Sequence, residues 1–191
     1  MKNTRENLAS GKSTVYSLFH AQVRRNHDAI AIEYKELALS YAALNEQVCR
    51  LASVFADYGV ARGDRVAIIS ENRPEYIVAQ LACGMTGAII ACQNWRLSAD
   101  ELQHCISLVD PVLIICSARH ANNLEKLDIG DLQIINFDDT YTAIMKRAGQ
   151  AIPCPNLDPE DGMVILYTSG TTSKPKGVVS THANIEAQIC A

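Results

Sequence analysis

From Arg65 onward, short apolar runs alternate with amphipathic stretches, and that rhythm leaves few folds open. Arg65 to Ile69, Ala88 to Ala91, Val112 to Cys116 and Ile134 to Phe137 are almost continuously apolar. Such runs suit strands buried on both faces better than strands with one wet face. Between them lie helix signals. Pro74 is placed for the first turn of a helix running to about Met85. Ser98-Ala99-Asp100-Glu101 is a capping box that opens a helix to about Val109. Further helices are expected near Arg119 to Leu127 and through Tyr141 to Arg147. This alternation predicts an α/β fold: a doubly wound, mostly parallel sheet with flanking helices. In such sheets ligands sit beyond the carboxyl ends of the strands.

The chain before Arg65 reads differently. Ser13 or Thr14 caps a segment from Val15 to Arg25 in which Val15, Leu18, Phe19 and Val23 share a helical face. Ala29 to Tyr34, Lys35-Glu36 and Leu37 to Leu39 form a hairpin pattern. Ser40 caps the next helix, with Leu44, Val48, Leu51 and Phe55 at helical spacing and Gly59 at its end. The division expected is an N-terminal helical segment, 1–28, and an α/β unit, 29–191. Tyr76 to Cys92 approaches a membrane span in length and apolarity, but Gly84 and Gly87 interrupt it where a helix-to-strand turn is due. A buried helix followed by a core strand fits the surrounding rhythm, so no membrane span is expected.

The chemistry is concentrated near the end. Met163 to Tyr167 reads as a buried strand, which breaks into Thr168-Ser169-Gly170-Thr171-Thr172-Ser173-Lys174-Pro175-Lys176-Gly177. Gly170 admits backbone torsions that a Cβ disfavours. Successive amides in such a turn converge into a nest for an anion. Thr168, Ser169, Thr171 and Thr172 add small donors, and Lys174 and Lys176 add positive charge around a stiffening Pro175. A plain linker needs no strand before it and none after it, whereas Val178-Val179 resume an apolar run at once. A Walker A loop requires the lysine directly before Ser or Thr. Lys176 is followed by Gly177, and the early Gly11-Lys12-Ser13-Thr14 has Glu6 where that motif needs glycine, so both fail.

The order Tyr-Thr-Ser-Gly-Thr-Thr-x-x-Pro-Lys-Gly, continued by Val178-Val179-Ser180-Thr181-His182-Ala183-Asn184, resembles the signature of the adenylate-forming (AMP-binding) superfamily. Acyl-CoA synthetases and other acid–CoA ligases, luciferases and peptide-synthetase adenylation domains share it. Ser173 stands where that family usually carries glycine. The hairpin followed by Leu39 to Leu44, and Asn94-Trp95-Arg96-Leu97, also resemble stretches of fatty-acyl and related CoA ligases. The resemblance implies the N-terminal part of the large domain. It implies ATP-dependent activation of a carboxylic acid as an acyl-adenylate, then transfer to coenzyme A. Thr168, Ser169, Gly170, Thr171, Thr172 and Lys176 would hold the β- and γ-phosphates, with Mg²⁺ accompanying ATP; Lys174 sits at a position that varies in the family. The family's catalytic lysine and its adenine and ribose segments find no match, so no catalytic residue is expected in this chain. The expectation is a ligase portion inactive alone. The alternative is a truncated, non-catalytic phosphate-binding or interaction module.

Composition bounds the rest. With 48% hydrophobic and 20% charged residues, the 191-residue chain is that of a globular protein. A formal charge of −4 gives no nucleic-acid footprint. Met1 to Ser13 is polar, without the apolar stretch of a secretory signal. The seven cysteines form no C-x-x-C pair and mostly sit in apolar runs, which predicts reduced core residues in the cytoplasm. His104-Cys105 reads as a chance neighbour pair, and the five histidines lack ligand spacing, so no protein-bound metal is expected. Trp95 reads as a packed loop anchor with a solvated Arg96, and His182 as a packing or capping residue. A piece of a larger domain should also expose apolar surface and self-associate.

Overall fold

The computed structural model describes residues 13–149, 154–168 and 174–190. Helix α1 (Val15–Arg25) is capped by Thr14, whose hydroxyl accepts from the Ser17 N–H while Ser17 returns a bond to Thr14. Strands β1 (Ile30–Tyr34) and β2 (Leu37–Ser40) form the expected antiparallel hairpin, with Lys35 at φ 54° in its turn. Ser40 then caps α2 (Tyr41–Asp57). Beyond it run β3 (Arg65–Ile69), α3 (Pro74–Thr86), β4 (Ile89–Cys92), α4 (Ala99–Val109), β5 (Leu113–Cys116) and α5 (Ala118–Leu124). The chain continues through β6 (Gln133–Asn136), α6 (Tyr141–Arg147), β7 (Gly162–Thr168), β8 (Lys176–Thr181) and α7 (His182–Cys190).

The six-stranded sheet has the order β6-β5-β3-β4-β7-β8. All neighbours are parallel except β7 and β8, which pair antiparallel. A helical crossover permits a parallel return, whereas the short connection between Thr168 and Lys176 permits only an antiparallel one. The mostly parallel α/β expectation holds.

Period-two alternation in the strands builds two cores. Val66, Ile68, Ile90, Leu113, Ile115 and Ile135 point to one face, where α2 and α3 supply Leu51, Phe55, Val78 and Ala82. Ala67, Ile69, Ile114 and Cys116 point to the other, against Leu102 and Ile106 of α4 and Leu124 of α5. Helices therefore cover both faces, as double winding requires. Gly87 closes α3 at φ 80°, and a Cβ there would lie 2.6 Å from Leu157 Cδ2. That clash, with the left-handed torsion, accounts for glycine at this helix-to-strand turn.

One element departs from the sequence reading. The helix expected near Arg119 to Leu127 is the shorter α5, ending at Leu124. Its N-cap Ser117 makes no capping bond, because the hydroxyl donates instead to Glu71 Oε2 at 2.7 Å. The last helix begins at His182, and Thr181 and Asn184 exchange bonds across its first turn. Among the described residues no helix is long and apolar enough to cross a membrane, and Tyr76 to Cys92 is the buried α3 followed by β4.

Candidate functional site

The expected loop emerges from the carboxyl end of β7, beside the carboxyl end of β4, where an open α/β sheet places its ligands. Thr168 lies opposite Lys176, and Tyr167 opposite Gly177. Thr168, Lys174 and Lys176 are exposed, so one hydroxyl and two ammonium groups are accessible there. Ser169, Gly170, Thr171 and Thr172 lie outside the described residues.

Below the lysines runs an open groove of about 580 Å³ between α4 and the β7–β8 pair. Leu108, Val109, Ile165 and Val179 make its apolar wall, with Lys174 and Lys176 at the loop and Arg65 also lining it. None of the described residues lining it is acidic. A polyanion is therefore matched by charge, while the described residues lining the groove offer no carboxylate to a divalent cation. Mg²⁺ would come to this end as a companion of phosphate oxygens. No group of three or more metal-ligating side chains occurs among the described residues.

The two legs of the loop are tied to the body by polar contacts that sequence reasoning missed. Tyr167 Oη donates to the Cys105 carbonyl at 3.0 Å. Gln93 Nε2 donates to Tyr167 Oη at 2.8 Å. On the outgoing leg, His104 Nε2 lies 3.2 Å from the Pro175 carbonyl oxygen. That oxygen only accepts, so Nε2 carries the proton. Burial first, with small contributions from Cys105 and Cys92, pushes the Tyr167 hydroxyl up to about 12 despite the Gln93 bond. It stays a neutral donor at ordinary pH. His104-Cys105 is thus no thiol–imidazole couple. Burial, then Glu101, pushes the Cys105 thiol up to about 11, and the residue acts through its backbone.

A second cluster lies at the carboxyl ends of β3 and β5. Trp95 stacks on His120 with centroids 5.1 Å apart, and Arg96 and Arg119 sit over the same indole at 4.9 and 5.3 Å. Trp95 is the packed anchor expected, but Arg96 is held against the ring rather than simply solvated. Burial pushes the Glu71 carboxyl up, yet its own N–H, Ser117, His120 and Arg73 outweigh this and leave it low. His182 has a capping role, as expected, though not for its own helix. It is fully buried, and its Nδ1 accepts the Val15 N–H of α1 at 3.1 Å.

These features define an open, doubly wound α/β domain with exposed Thr168 and Lys176 at the carboxyl end of strand β7. The family model described as AMP-binding enzyme matches residues 19–191. The chain belongs to the AMP-binding enzyme family. It is 32% identical over 164 residues to a feruloyl-CoA synthase of an Amycolatopsis species, covering 86% of this chain and 32% of that protein. It is 34% identical over 158 residues to an indoleacetate–CoA ligase of Aromatoleum aromaticum, covering 78% of this chain and 31% of that one. Among solved structures, the N-terminal domain of FACL13 from Mycobacterium tuberculosis superposes with a TM-score of 0.80 at 26% identity, over 88% of this chain and 44% of that one. VinN gives 0.82 at 24% identity, over 92% and 45%, which shows the shared fold. The chain thus spans about a third of the length of these curated relatives.

Proposed function

We propose that this chain is the N-terminal portion of an acid–CoA ligase that activates a carboxylic acid with ATP, and that residues 168–177 hold the polyphosphate. The observation carrying this reading is the placement of exposed Thr168 and Lys176 at the carboxyl end of β7, in a chain whose relatives are named CoA ligases. Thr168 and Lys176, with Ser169, Gly170, Thr171 and Thr172, bind the β- and γ-phosphates. Mg²⁺, arriving with the nucleotide, supplies charge neutralisation across those oxygens. The substrate carboxylate forms a bond to the α-phosphorus as the bond to pyrophosphate breaks, giving the acyl-adenylate. The thiol of coenzyme A then attacks the acyl carbon, losing its proton, and AMP leaves. This chain's share is to bind and orient the leaving pyrophosphate, which is electrostatic and positional work. The cysteines Cys49, Cys83, Cys92, Cys105, Cys116 and Cys154 are all unpaired, which supports a reducing, cytoplasmic setting.

The same reading holds that these 191 residues bind polyphosphate but do not adenylate alone. ATP–pyrophosphate exchange, run with ferulate, indoleacetate and a wider panel of acids, tests it. No exchange is expected from the 191-residue chain. Acid-dependent exchange is expected from a polypeptide that also carries the length its relatives have. Exchange by the short chain alone would falsify the division of labour. A second reading is a non-catalytic phosphate-binding or interaction module. That reading predicts polyphosphate binding with no exchange in any natural form of the protein.

A further inference from the structure

We propose that helix α4 sets the geometry of the phosphate loop by gripping both of its legs through adjacent residues, making His104, Tyr167 and Gln93 positioning residues for polyphosphate. His104 holds the outgoing leg at the Pro175 carbonyl, 3.2 Å away. Cys105 holds the incoming leg, its carbonyl accepting the Tyr167 hydroxyl at 3.0 Å. The proposal rests on the reading of residues 168–177 as a phosphate loop.

The sheet by itself leaves the legs weakly constrained. Among the described residues β8 is an edge strand paired only with β7, so no further strand fixes its tilt. Two contacts from consecutive helical residues, one on each leg, supply that constraint. A helical carbonyl has a second lone pair, so Cys105 can accept the phenol without giving up its helical bond. The chain of donors runs in one direction only. The single Tyr167 proton goes to Cys105, so what meets Tyr167 Oη from Gln93 must be a donor, and this fixes the amide with Nε2 toward the phenol. Gln93 is anchored in turn by its own N–H, which donates to the Ile68 carbonyl at 2.8 Å, and it is buried. The grip therefore reaches from the end of β3 through β4 to β7, and closes on α4. The carboxyl ends of the strands and the two described legs of the loop form one hydrogen-bonded unit.

The test uses the 191-residue chain and sodium tripolyphosphate as probe. Affinity is read by calorimetry, and the grip itself by amide exchange at Thr168 and Gly177. His104→Phe keeps a ring but removes the donor, and Tyr167→Phe removes only the hydroxyl. Each is expected to speed exchange at these amides and to weaken tripolyphosphate binding about tenfold, the scale of one positioning hydrogen bond. His104→Gln restores an N–H donor and is expected to return affinity to within about threefold of wild type. A role confined to stability would instead lower the melting temperature of His104→Phe and leave the affinity of the folded fraction unchanged. Wild type that binds tripolyphosphate, with both Phe variants binding equally well, overturns the positioning role and leaves the phosphate reading standing. Wild type that fails to bind overturns the phosphate reading and the positioning role with it. If His104→Phe does not fold, Tyr167→Phe decides the question from the other leg.

Discussion

His182 shows how one buried residue can carry a conditional contact. Its Nδ1 accepts the Val15 N–H, so in the neutral ring the proton sits on Nε2, which is buried without a partner among the described residues. Glu186, one helical turn along, takes the Ser13 N–H on Oε2 at 3.4 Å while its Oε1 is unmatched. Two side chains of α7 thus cap the start of α1. Burial pushes the His182 imidazole below its ordinary 6.5, and Asp161 beside it opposes this without prevailing. The folded state therefore takes up a proton at lower pH than the unfolded chain does. The stability from this residue is complete above about 6.5 and is lost as the pH falls through the folded value. Protonation at Nδ1 also displaces the Val15 donor. Urea unfolding at pH 7.5 and 5.0 is expected to show a loss of stability at the lower pH. His182→Asn, whose Oδ1 can accept the same bond without titrating, is expected to shrink that loss. It should not abolish it, because burial lowers His120 in the same way against the pull of Glu71. An equal pH dependence in wild type and His182→Asn would remove His182 from this account.

At the scale of the element, two glycines separate torsion from packing. Gly59 and Gly87 follow α2 and α3 with φ of 76° and 80°. A Cβ at Gly59 would meet nothing within 4 Å, whereas at Gly87 it would meet Leu157 and Arg62. Gly59→Ala is expected to cost about 1–2 kcal/mol, the left-handed penalty alone. Gly87→Ala adds overpacking and is expected to cost about 2–4 kcal/mol. Chemical denaturation of both variants checks the difference, and equal costs would mean that Leu157 moves aside freely. Ser98→Ala is expected to cost about 1 kcal/mol, since the Ser98 N–H and hydroxyl both bond Glu101 at the start of α4. These features were legible in the sequence because caps, turn glycines and apolar runs are local. Pro74 at the start of α3 and the Ser98 box fell where their chemistry required. The end of α5 was not legible, because the Leu127 N–H closes a turn on the Leu124 carbonyl and Asp128 is held by Gln103, 25 positions away. The grip on the loop was equally hidden. His104 meets Pro175 across 71 positions and Gln93 meets Tyr167 across 74, and only the strand order brings them together.

At the scale of the whole molecule, the sheet is covered at its centre and open at its β8 edge. Core strands β3, β4 and β5 are covered on both faces, while β8 ends the sheet with Val178 and Val179 about half exposed and Leu166 beside them equally so. Lys176 is the only charge on that edge strand, a thin guard against edge-to-edge pairing. In FACL13 and VinN more than half of the solved chain lies outside the shared region, so a longer polypeptide has the material to cover this face itself. In the 191-residue chain, another copy is an available occupant for this face. Sedimentation velocity is expected to show concentration-dependent association of this chain at micromolar levels. Val178→Lys and Val179→Lys are each expected to shift it toward monomer, with unfolding free energies within about 0.5 kcal/mol of wild type. Tripolyphosphate affinity should hold in Val178→Lys, since Val178 does not line the groove below the lysines. If both variants sediment as wild type does, association runs through another surface and the exposed valines are simply wet. If association persists in a polypeptide of the relatives' full length but vanishes with Val178→Lys, the strand edge is a working interface rather than a face awaiting the rest of its domain.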